Sequence, residues 1–159
     1  MIGAILSLAE AVAWRAELRT EGKRVVFTNG CFDILHRGHV EYLKRARVLG
    51  DALVVGLNSD TSVRRVKGDL RPILPQDDRA AILASLRAVD VVTIFDEDTP
   101  YALISALVPD ILVKGADWKI SDVVGRDVVE GGGGRVVTVE YVPDRSTSVV
   151  IDTIRSRYC

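Results

Sequence analysis

The feature that most constrains the fold is the regular alternation of short apolar segments with amphipathic ones. Continuous apolar, β-branched stretches predict five strands, at 25–30, 52–58, 91–95, 110–115 and 135–142. Periodic or capped stretches predict helices at 38–50, at about 76–88, from Thr99 to Pro109, and from Ser146 or Thr147 to about Ser156. Apolar strands without polar alternation are typical of a parallel sheet covered on both faces. We therefore expect one α/β domain, Rossmann-like and doubly wound, with a five-stranded parallel sheet and helices on both faces.

The first 22 residues precede the first predicted strand. Apolar side chains recur there at helical spacing: Leu6, Ala9, Val12, Ala13 and Ala16. The stretch lacks a basic start and contains Glu10, so it makes a poor signal peptide. No window approaches the roughly 20 apolar residues of a membrane span. We expect 1–22 to form a leader helix packed on a domain at 23–159, and we expect the protein to be cytoplasmic.

Charge and cysteine content narrow the classes of partner. The chain has 21 basic and 22 acidic residues and a formal net charge of -1. This balance gives no electrostatic footprint for nucleic acid or for an anionic membrane. Two cysteines, Cys31 and Cys159, do not make a disulfide framework and are expected to be reduced. An anionic ligand must therefore be held by a local site.

The stretch TNGCFDILHRGH at 28–39 contains both histidines of the chain. It runs from the end of the first predicted strand into a helix, where open α/β sheets bind ligands. A helix N-terminus offers unpaired N–H groups and a partial positive charge, and Gly30 and Gly38 let the backbone approach a ligand closely. His36 and His39 would point from the first turn at the same place. This arrangement predicts a phosphate site, with imidazoles that stabilise charge on phosphorus.

Other interpretations of the histidine pair stay open. Histidines at i and i+3 share a helix face and could hold a metal with Asp33 or Cys31, although no further ligand follows at metal spacing. Either histidine could also be an ordinary polar residue. The four glycines at 131–134 match neither dinucleotide nor P-loop patterns, and they precede a strand, so they predict a flexible turn.

The motif residues support a resemblance to a known superfamily. HRGH resembles the HxGH signature of nucleotidyltransferases, and GCFDILHRGHVEYLKRA is similar to the cytidylyltransferase-like branch. RSTSVVIDTIR at 145–155 is similar to the second signature, an ISSTxxR-like stretch that opens the last helix. No arginine stands at the usual downstream position, so either Arg145 or Arg155 would replace it.

A narrower resemblance covers about 23–157. NSDTSVRRVKGDLRPILPQDDRAAIL and FDEDTPYALISALVPDILVKGADW are similar to the adenylyltransferase part of the bacterial ADP-heptose synthesis enzymes. The resemblance implies transfer of AMP from ATP to D-glycero-β-D-manno-heptose 1-phosphate, for lipopolysaccharide core precursor synthesis. It implies the stand-alone form, because no sugar-kinase half is present. The alternatives are a cytidylyltransferase acting on glycerol 3-phosphate or another small phosphate, and a nucleotide-binding module without turnover.

The resemblance also implies roles for individual residues. His36, His39 and Lys67 would be catalytic. Asp33, Lys67 and Arg79 would face the sugar phosphate, with Lys44 and Lys114 as weaker candidates, and Asp33 would either tie its turn together or assist Mg²⁺. The implied nucleotide-binding residues are Asn29, Gly30, Cys31, Phe32, Gly38, Gly115, Asp117, Arg145, Ser146, Thr147 and Ser148.

Partners follow from the same resemblance. ATP with Mg²⁺ and a sugar 1-phosphate are the expected ligands, and no protein ligand for the metal can be chosen from the sequence. Neither nucleic acid nor a membrane is an expected partner. The leader helix is compatible with a homo-oligomer, either a dimer or a higher assembly.

Overall fold

The computed structural model describes residues 2–159 as one parallel sheet with helices packed around it. The strands are β1 Ala4–Ile5, β2 Val25–Gly30, β3 Ala52–Asn58, β4 Val91–Phe95, β5 Ile111–Gly115 and β6 Arg135–Val139. The helices are α1 Leu8–Thr20, α2 Arg37–Arg47, α3 Asp60–Lys67, α4 Gln76–Ala84, α5 Tyr101–Leu107, α6 Arg126–Gly131 and α7 Thr147–Tyr158. A 3-10 turn at Ile120–Asp122 lies between β5 and α6.

The sheet confirms the predicted α/β class and corrects the number of strands. Its order is β1-β4-β3-β2-β5-β6, and every pair is parallel. The sixth strand is β1, whose Ala4 pairs with Val91 at the edge of the sheet. Sequence reasoning missed it because two residues are too short for any periodic signal, and the leader was assigned to helix alone.

The chain winds outward in two directions from the centre of this sheet. From β2 it passes to β3 and β4 on one side, and it then returns to β5 and β6 on the other. The topological switch point therefore lies between β2 and β5, which are neighbours. The carboxyl ends of these two strands form the edge at which ligands are expected.

Two layers of apolar side chains fill the spaces on either side of the sheet. Alternate strand residues face opposite layers, as Val25 and Val26 do, and both are fully buried. Helices α2 and α4 cover one face with residues such as Leu43 and Leu83. Helices α1, α5 and α6 cover the other face. The prediction of helices on both faces is confirmed, while the division of the chain at residue 22 stays a prediction.

Two helices were not predicted. Helix α3 buries only Ser62 and Val63, so the polar segment has hardly any apolar stripe to indicate a helix. The Ser59 side chain caps its start, and Gly68 follows its end. Helix α6 reaches into the glycine run, and the remaining glycines form the turn into β6, where Gly133 has a φ of 83°. No helix among residues 2–159 is long and apolar enough to cross a membrane.

Candidate functional site

Both histidines lie where α2 begins, just beyond the carboxyl end of β2. His36 is the N-cap residue, and the Gly38 N–H donates to its Nδ1 at 3.1 Å. In the neutral ring this bond places the proton on Nε2, which stays available as a donor. His39 stacks on His36 with ring centroids 3.8 Å apart, and the Phe32 ring packs edge-on against His39 with centroids 5.1 Å apart. The structure thus brings the two predicted imidazoles together.

Burial keeps these imidazoles neutral. It lowers the pKa of His36, and it lowers the pKa of His39 to about 4, with His36 adding a smaller effect. At neutral pH both rings are therefore hydrogen-bond donors without a formal charge. Nδ1 of His39 is buried and has no hydrogen-bond partner in the described part of the chain. Such an atom is expected to find a partner when a ligand or water is bound.

The end of β2 and the turn that follows it contain four of the predicted nucleotide-binding residues, two in the strand and two in the turn. Phe32 has a φ of 44°, in the left-handed region that aromatic residues rarely adopt. A Cβ on Gly30 would lie 2.9 Å from the Phe32 ring, so only glycine lets that ring fold back over the strand end. The Cys31 carbonyl accepts a hydrogen bond from Arg79, and Asn29 Oδ1 accepts one from Lys114. Backbone strain of this kind clusters at functional sites.

Asp33 ties this turn to the loop that follows α3. Its carboxylate accepts the N–H groups of Ile73 and Leu74 at 2.8–2.9 Å, and Nε of Arg71 donates to it at 2.5 Å. Burial alone would raise the pKa of Asp33, but these two N–H groups and the Arg71 guanidinium outweigh it and lower the pKa. Of the two roles left open by the sequence, the structure shows the tie. Because these partners use both oxygens, a substrate contact by Asp33 is not part of this arrangement.

Arg79 occupies a different place from the one that the sequence suggested. Its side chain is fully buried at the start of α4, and it donates to the carbonyls of Leu74, Cys31 and Asn58. Its Nη2 pairs with Asp60 at 2.8 Å. These bonds join the ends of β2 and β3 to the loop before α4. They argue against direct contact between Arg79 and a sugar phosphate, because the guanidinium is buried and four of its five N–H donors bond to protein groups.

Lys67 is the last residue of α3 and is exposed. Burial raises the pKa of the Cys31 thiol, and the positive charges of Lys67, Arg79 and Arg71 act against that rise. Lys67 therefore lies close enough to the β2 turn to act on it electrostatically. Unlike the two arginines, Lys67 has no ion-pair partner among residues 2–159. It is an exposed cation on the α3 side of the site, without an ion-pair partner in the part of the chain that the structure describes.

The β5 side of the site is arranged around Gly115. A Cβ on Gly115 would collide with the Tyr141 ring, so the glycine makes room for that aromatic side chain. Tyr141 in turn stacks on the buried Tyr42, with centroids 5.5 Å apart. Asp117 and Trp118 follow Gly115 and are exposed. The resemblance implied that Gly115 binds nucleotide, but in this structure the Tyr141 ring occupies the space beside it.

The start of α7 faces the start of α2. Ser146 caps α7 by accepting the Val149 N–H at 3.2 Å, while Thr147 is buried and Ser148 is exposed. Arg145 packs beside the first turn of α2, since its Cβ would lie 3.2 Å from a Cβ on Gly38. The cleft between the helices has a volume of about 260 Å³. It is lined by His36, Asp144, Arg145, Ser146, Val149, Val150, Thr153 and Ile154.

The cleft distinguishes between the two candidate arginines. Arg145 lines it, whereas Arg155 lies in the last turn of α7 and does not.

Sequence reasoning missed the hydrogen bond from Arg71 to Asp33 and the packing of the Tyr141 ring over Gly115. It also underrated Lys114, whose partner Asn29 is 85 residues away in the chain. Local patterns carry no signal for contacts over such separations.

A helix capped by one of two stacked histidines, at the switch point of a parallel sheet and opposite a second helix N-terminus, defines a nucleotidyltransferase domain. The chain belongs to the cytidylyltransferase-like family, whose model matches residues 27–153. This match confirms the resemblance drawn from the HRGH motif.

Two curated proteins are similar to this chain in sequence. The chain is 58% identical over 151 residues to the bifunctional protein HldE of Citrifermentans bemidjiense, covering 95% of this chain and 30% of that protein. It is 57% identical over 140 residues to HldE of Geobacter sulfurreducens, covering 88% of this chain and 29% of that protein. The chain therefore spans about 30% of the length of these curated relatives.

Two solved structures are similar in fold. The lipopolysaccharide core biosynthesis protein of Thermoplasma volcanium is 33% identical with a TM-score of 0.62, and the match covers 76% of this chain and 98% of that one. A pantoate-beta-alanine ligase from Francisella tularensis has the same TM-score at 16% identity, with 92% and 69% coverage. The second likeness concerns the fold alone.

Proposed function

We propose that this protein transfers AMP from ATP to D-glycero-β-D-manno-heptose 1-phosphate, giving ADP-heptose and pyrophosphate for lipopolysaccharide core synthesis. The observation that carries the proposal is the stacked His36–His39 pair at the start of α2, opposite the Ser146 cap of α7. The KGDLRP and VKGADW stretches, which resemble the ADP-heptose enzymes, favour the sugar acceptor. So does the likeness to a protein described as one of lipopolysaccharide core biosynthesis.

The reaction needs alignment and charge neutralisation more than covalent chemistry. An oxygen of the sugar phosphate attacks the α-phosphorus of ATP in line. The bond from that phosphorus to the oxygen that links the α- and β-phosphates breaks, and this oxygen leaves as a terminal oxygen of pyrophosphate. Nε2–H of His36 and the first N–H groups of α2 and α7 would donate to the phosphate oxygens, with His39 beside them. Lys67 would neutralise the acceptor phosphate from the α3 side. Arg79 and Asp33 would position the loops that hold these groups.

Mg²⁺ would enter this site with ATP. No group of three or more His, Cys, Asp or Glu side chains that could hold a metal ion occurs among residues 2–159. The site therefore suits an ion that is bound largely by the nucleotide's own phosphates, as Mg²⁺ often is. When bound, the ion would neutralise part of the phosphate charge.

The proposal includes a cytoplasmic location and a homo-oligomeric assembly. We place the reaction in the cytoplasm, in keeping with two cysteines that form no disulfide with each other. A homo-oligomer is also proposed, and the molar mass in solution, measured by sedimentation equilibrium, would test it against the 17.4 kDa of one chain.

Pyrophosphate release is the experiment that tests the function. Purified protein with Mg²⁺ is given ATP or CTP, each combined with heptose 1-phosphate or glycerol 3-phosphate. We expect release with ATP and heptose 1-phosphate, and a fall of about 10²–10³ in rate for His39→Ala, because one transition-state donor is lost. Release with CTP and glycerol 3-phosphate would instead identify a cytidylyltransferase. Nucleotide binding without any release would identify a binding module.

Arg157→Ala is the matched control for the histidine variant. Arg157 is an exposed residue near the end of α7, away from the cleft, so its removal should leave the rate unchanged. Circular dichroism and urea unfolding of both variants show whether a lost rate reflects a lost fold. An equal rate loss in both variants would contradict the role given to His39.

A further inference from the structure

The two central strands separate before they reach the site. Between β2 and β5 the register extends over Val26–Ile111 and Phe27–Leu112, although both strands continue for three more residues. The Val113 carbonyl lies instead within hydrogen-bond distance of the Thr28 and Tyr42 hydroxyls, at 3.0 and 3.2 Å. The sheet is therefore split at its carboxyl edge, and a crevice opens at the switch point.

The side chain of Lys114 lies in this crevice. Its Nζ donates to Asn29 Oδ1 across the gap and lies 5.7 Å from the centroid of the Trp118 ring. No carboxylate lies within salt-bridge distance of this ammonium in the described chain, 2–159. An ammonium has three N–H donors, and Asn29 uses one of them. Two donors are left for a ligand.

A largely buried ammonium without an anionic partner is costly to the folded chain. Burial lowers the pKa of Lys114 to about 8, and the nearby Asp117 raises it only in part. Lysines in such surroundings are concentrated at functional sites. Three cations on the β2 side differ from Lys114: Arg71 and Arg79 are paired with carboxylates, and Lys67 is exposed. The histidines are neutral at pH 7 and supply no charge.

We propose that Lys114 binds the phosphate nearest the ribose of the nucleotide, through the two N–H donors that Asn29 leaves free. This inference deepens the proposed function and rests on it for the class of ligand, a nucleoside phosphate. The crevice is where a doubly wound sheet binds a nucleotide, and the phosphate bound there stays charged throughout the reaction. Lys114 is then a binding residue that neutralises this charge, while the neutral histidines act on the leaving pyrophosphate.

The test uses binding and not turnover, so that it does not depend on the acceptor. AMP and adenosine affinities are measured by calorimetry for the full chain and for Lys114→Met, which keeps an apolar side chain of similar length against Trp118. We expect the AMP dissociation constant to rise at least tenfold and that of adenosine to change less than threefold. Lys114→Arg should recover part of the AMP affinity. Lys119→Met, which removes an exposed charge nearby, should bind both ligands like the original chain.

A structural role would give a different result. If Lys114 merely holds Asn29 and Trp118 in place, Lys114→Met weakens AMP and adenosine equally and lowers the midpoint of urea unfolding. If Lys114 binds phosphate, the midpoint is unchanged or higher, because a buried charge has been replaced by an apolar group. Equal weakening of both ligands, or an AMP affinity within threefold of the original, overturns the proposal. A different result would count against the proposed acceptor alone. The original chain would then bind AMP more tightly than adenosine through Lys114, but it would release no pyrophosphate from ATP with heptose 1-phosphate.

Discussion

The two sides of the candidate site differ in how completely the protein satisfies its own polar groups. On the β2 side, Asp33 and Arg79 are buried, and each makes several hydrogen bonds to neighbouring loops. On the side formed by β5, β6 and α7, Lys114 has two free donors, and Asp117 and Arg145 are exposed. Asp33 and Arg79 are therefore satisfied by the protein itself, whereas Lys114 on the second side still has donors without partners.

This difference separates residues that hold the site from residues that bind in it. A substitution on the β2 side should lower the free energy of unfolding, and it should affect activity through the positions of the loops. A substitution on the other side should leave stability nearly unchanged and weaken ligand binding directly. Four predictions follow the comparison, in order of their expected effect on stability.

Arg79→Met should have the largest effect. It leaves Asp60 without its ion-pair partner and the carbonyls of Cys31, Asn58 and Leu74 without their donor. Breaking a buried ion pair in this way costs about 3–5 kcal/mol. Urea unfolding at pH 7 measures the loss. Arg126→Met is the control, because its pair with Glu130 is exposed and contributes at most about 1 kcal/mol. Similar losses in the two variants would contradict the role given to Arg79.

Asp33→Asn should cost about 1.5–3 kcal/mol, the usual worth of hydrogen bonds to a charged group. The amide keeps the shape of the side chain but loses the charge that attracts Arg71 and the N–H groups of Ile73 and Leu74. Limited proteolysis at 68–74 should become faster, because that loop is no longer tied down. Asp98→Asn, which alters an exposed pair with Arg65, should change neither quantity. An unaltered cleavage rate in Asp33→Asn would argue against the tie.

Acid should destabilise the fold through His39. In the unfolded chain this imidazole takes up a proton near its usual pKa of 6.5, but in the folded chain it does so only near 4. Between these values the unfolded state binds more protons, so stability falls as the pH drops from 6.5 to 4 and is unaffected by His39 above that window. Allowing for partial exposure, we expect about 1–2 kcal/mol.

The variant His39→Phe isolates this contribution. Phenylalanine keeps an aromatic ring against Phe32 and His36 but cannot take up a proton. The difference in unfolding free energy between the original chain and the variant should therefore depend on pH between 6.5 and 4. A constant difference across that window would show that His39 titrates normally in the folded state.

Arg145→Ala should have the smallest effect on stability and a clear effect on binding. The side chain is exposed and its hydrogen bond is to the neighbouring Asp144 carbonyl, so we expect a loss below about 0.5 kcal/mol. Affinity for ATP should fall at least about tenfold, since a charged phosphate contact is lost. Arg155→Ala should leave ATP affinity unchanged. The reverse result would assign the second signature's arginine to Arg155.

Sequence reasoning located the central strands and the histidine pair because both have local signals. The strands from β2 to β6 are continuous apolar runs, and HRGH stands directly between a strand and a helix. Helix α3 was missed because a polar helix held by its Ser59 cap has hardly any apolar stripe. The role of Arg79 was misjudged because a cation beside a phosphate site and one inside a buried network look the same in sequence. The two cases are distinguished by the carbonyls of Cys31 and Asn58, which accept hydrogen bonds from Arg79 but are far from it in the sequence.

The cap made by His36 has a consequence for how such a domain can change over time. The helix requires an acceptor at that position, and asparagine, serine or aspartate would serve as well as the imidazole does. A single exchange to one of them would keep α2 and the whole fold while removing the Nε2 donor. The cap alone therefore does not require a histidine at position 36, and the catalytic role proposed for His36 would be what retains it. On the proposed function, a single substitution at His36 would give a protein that still folds but has lost its catalytic donor.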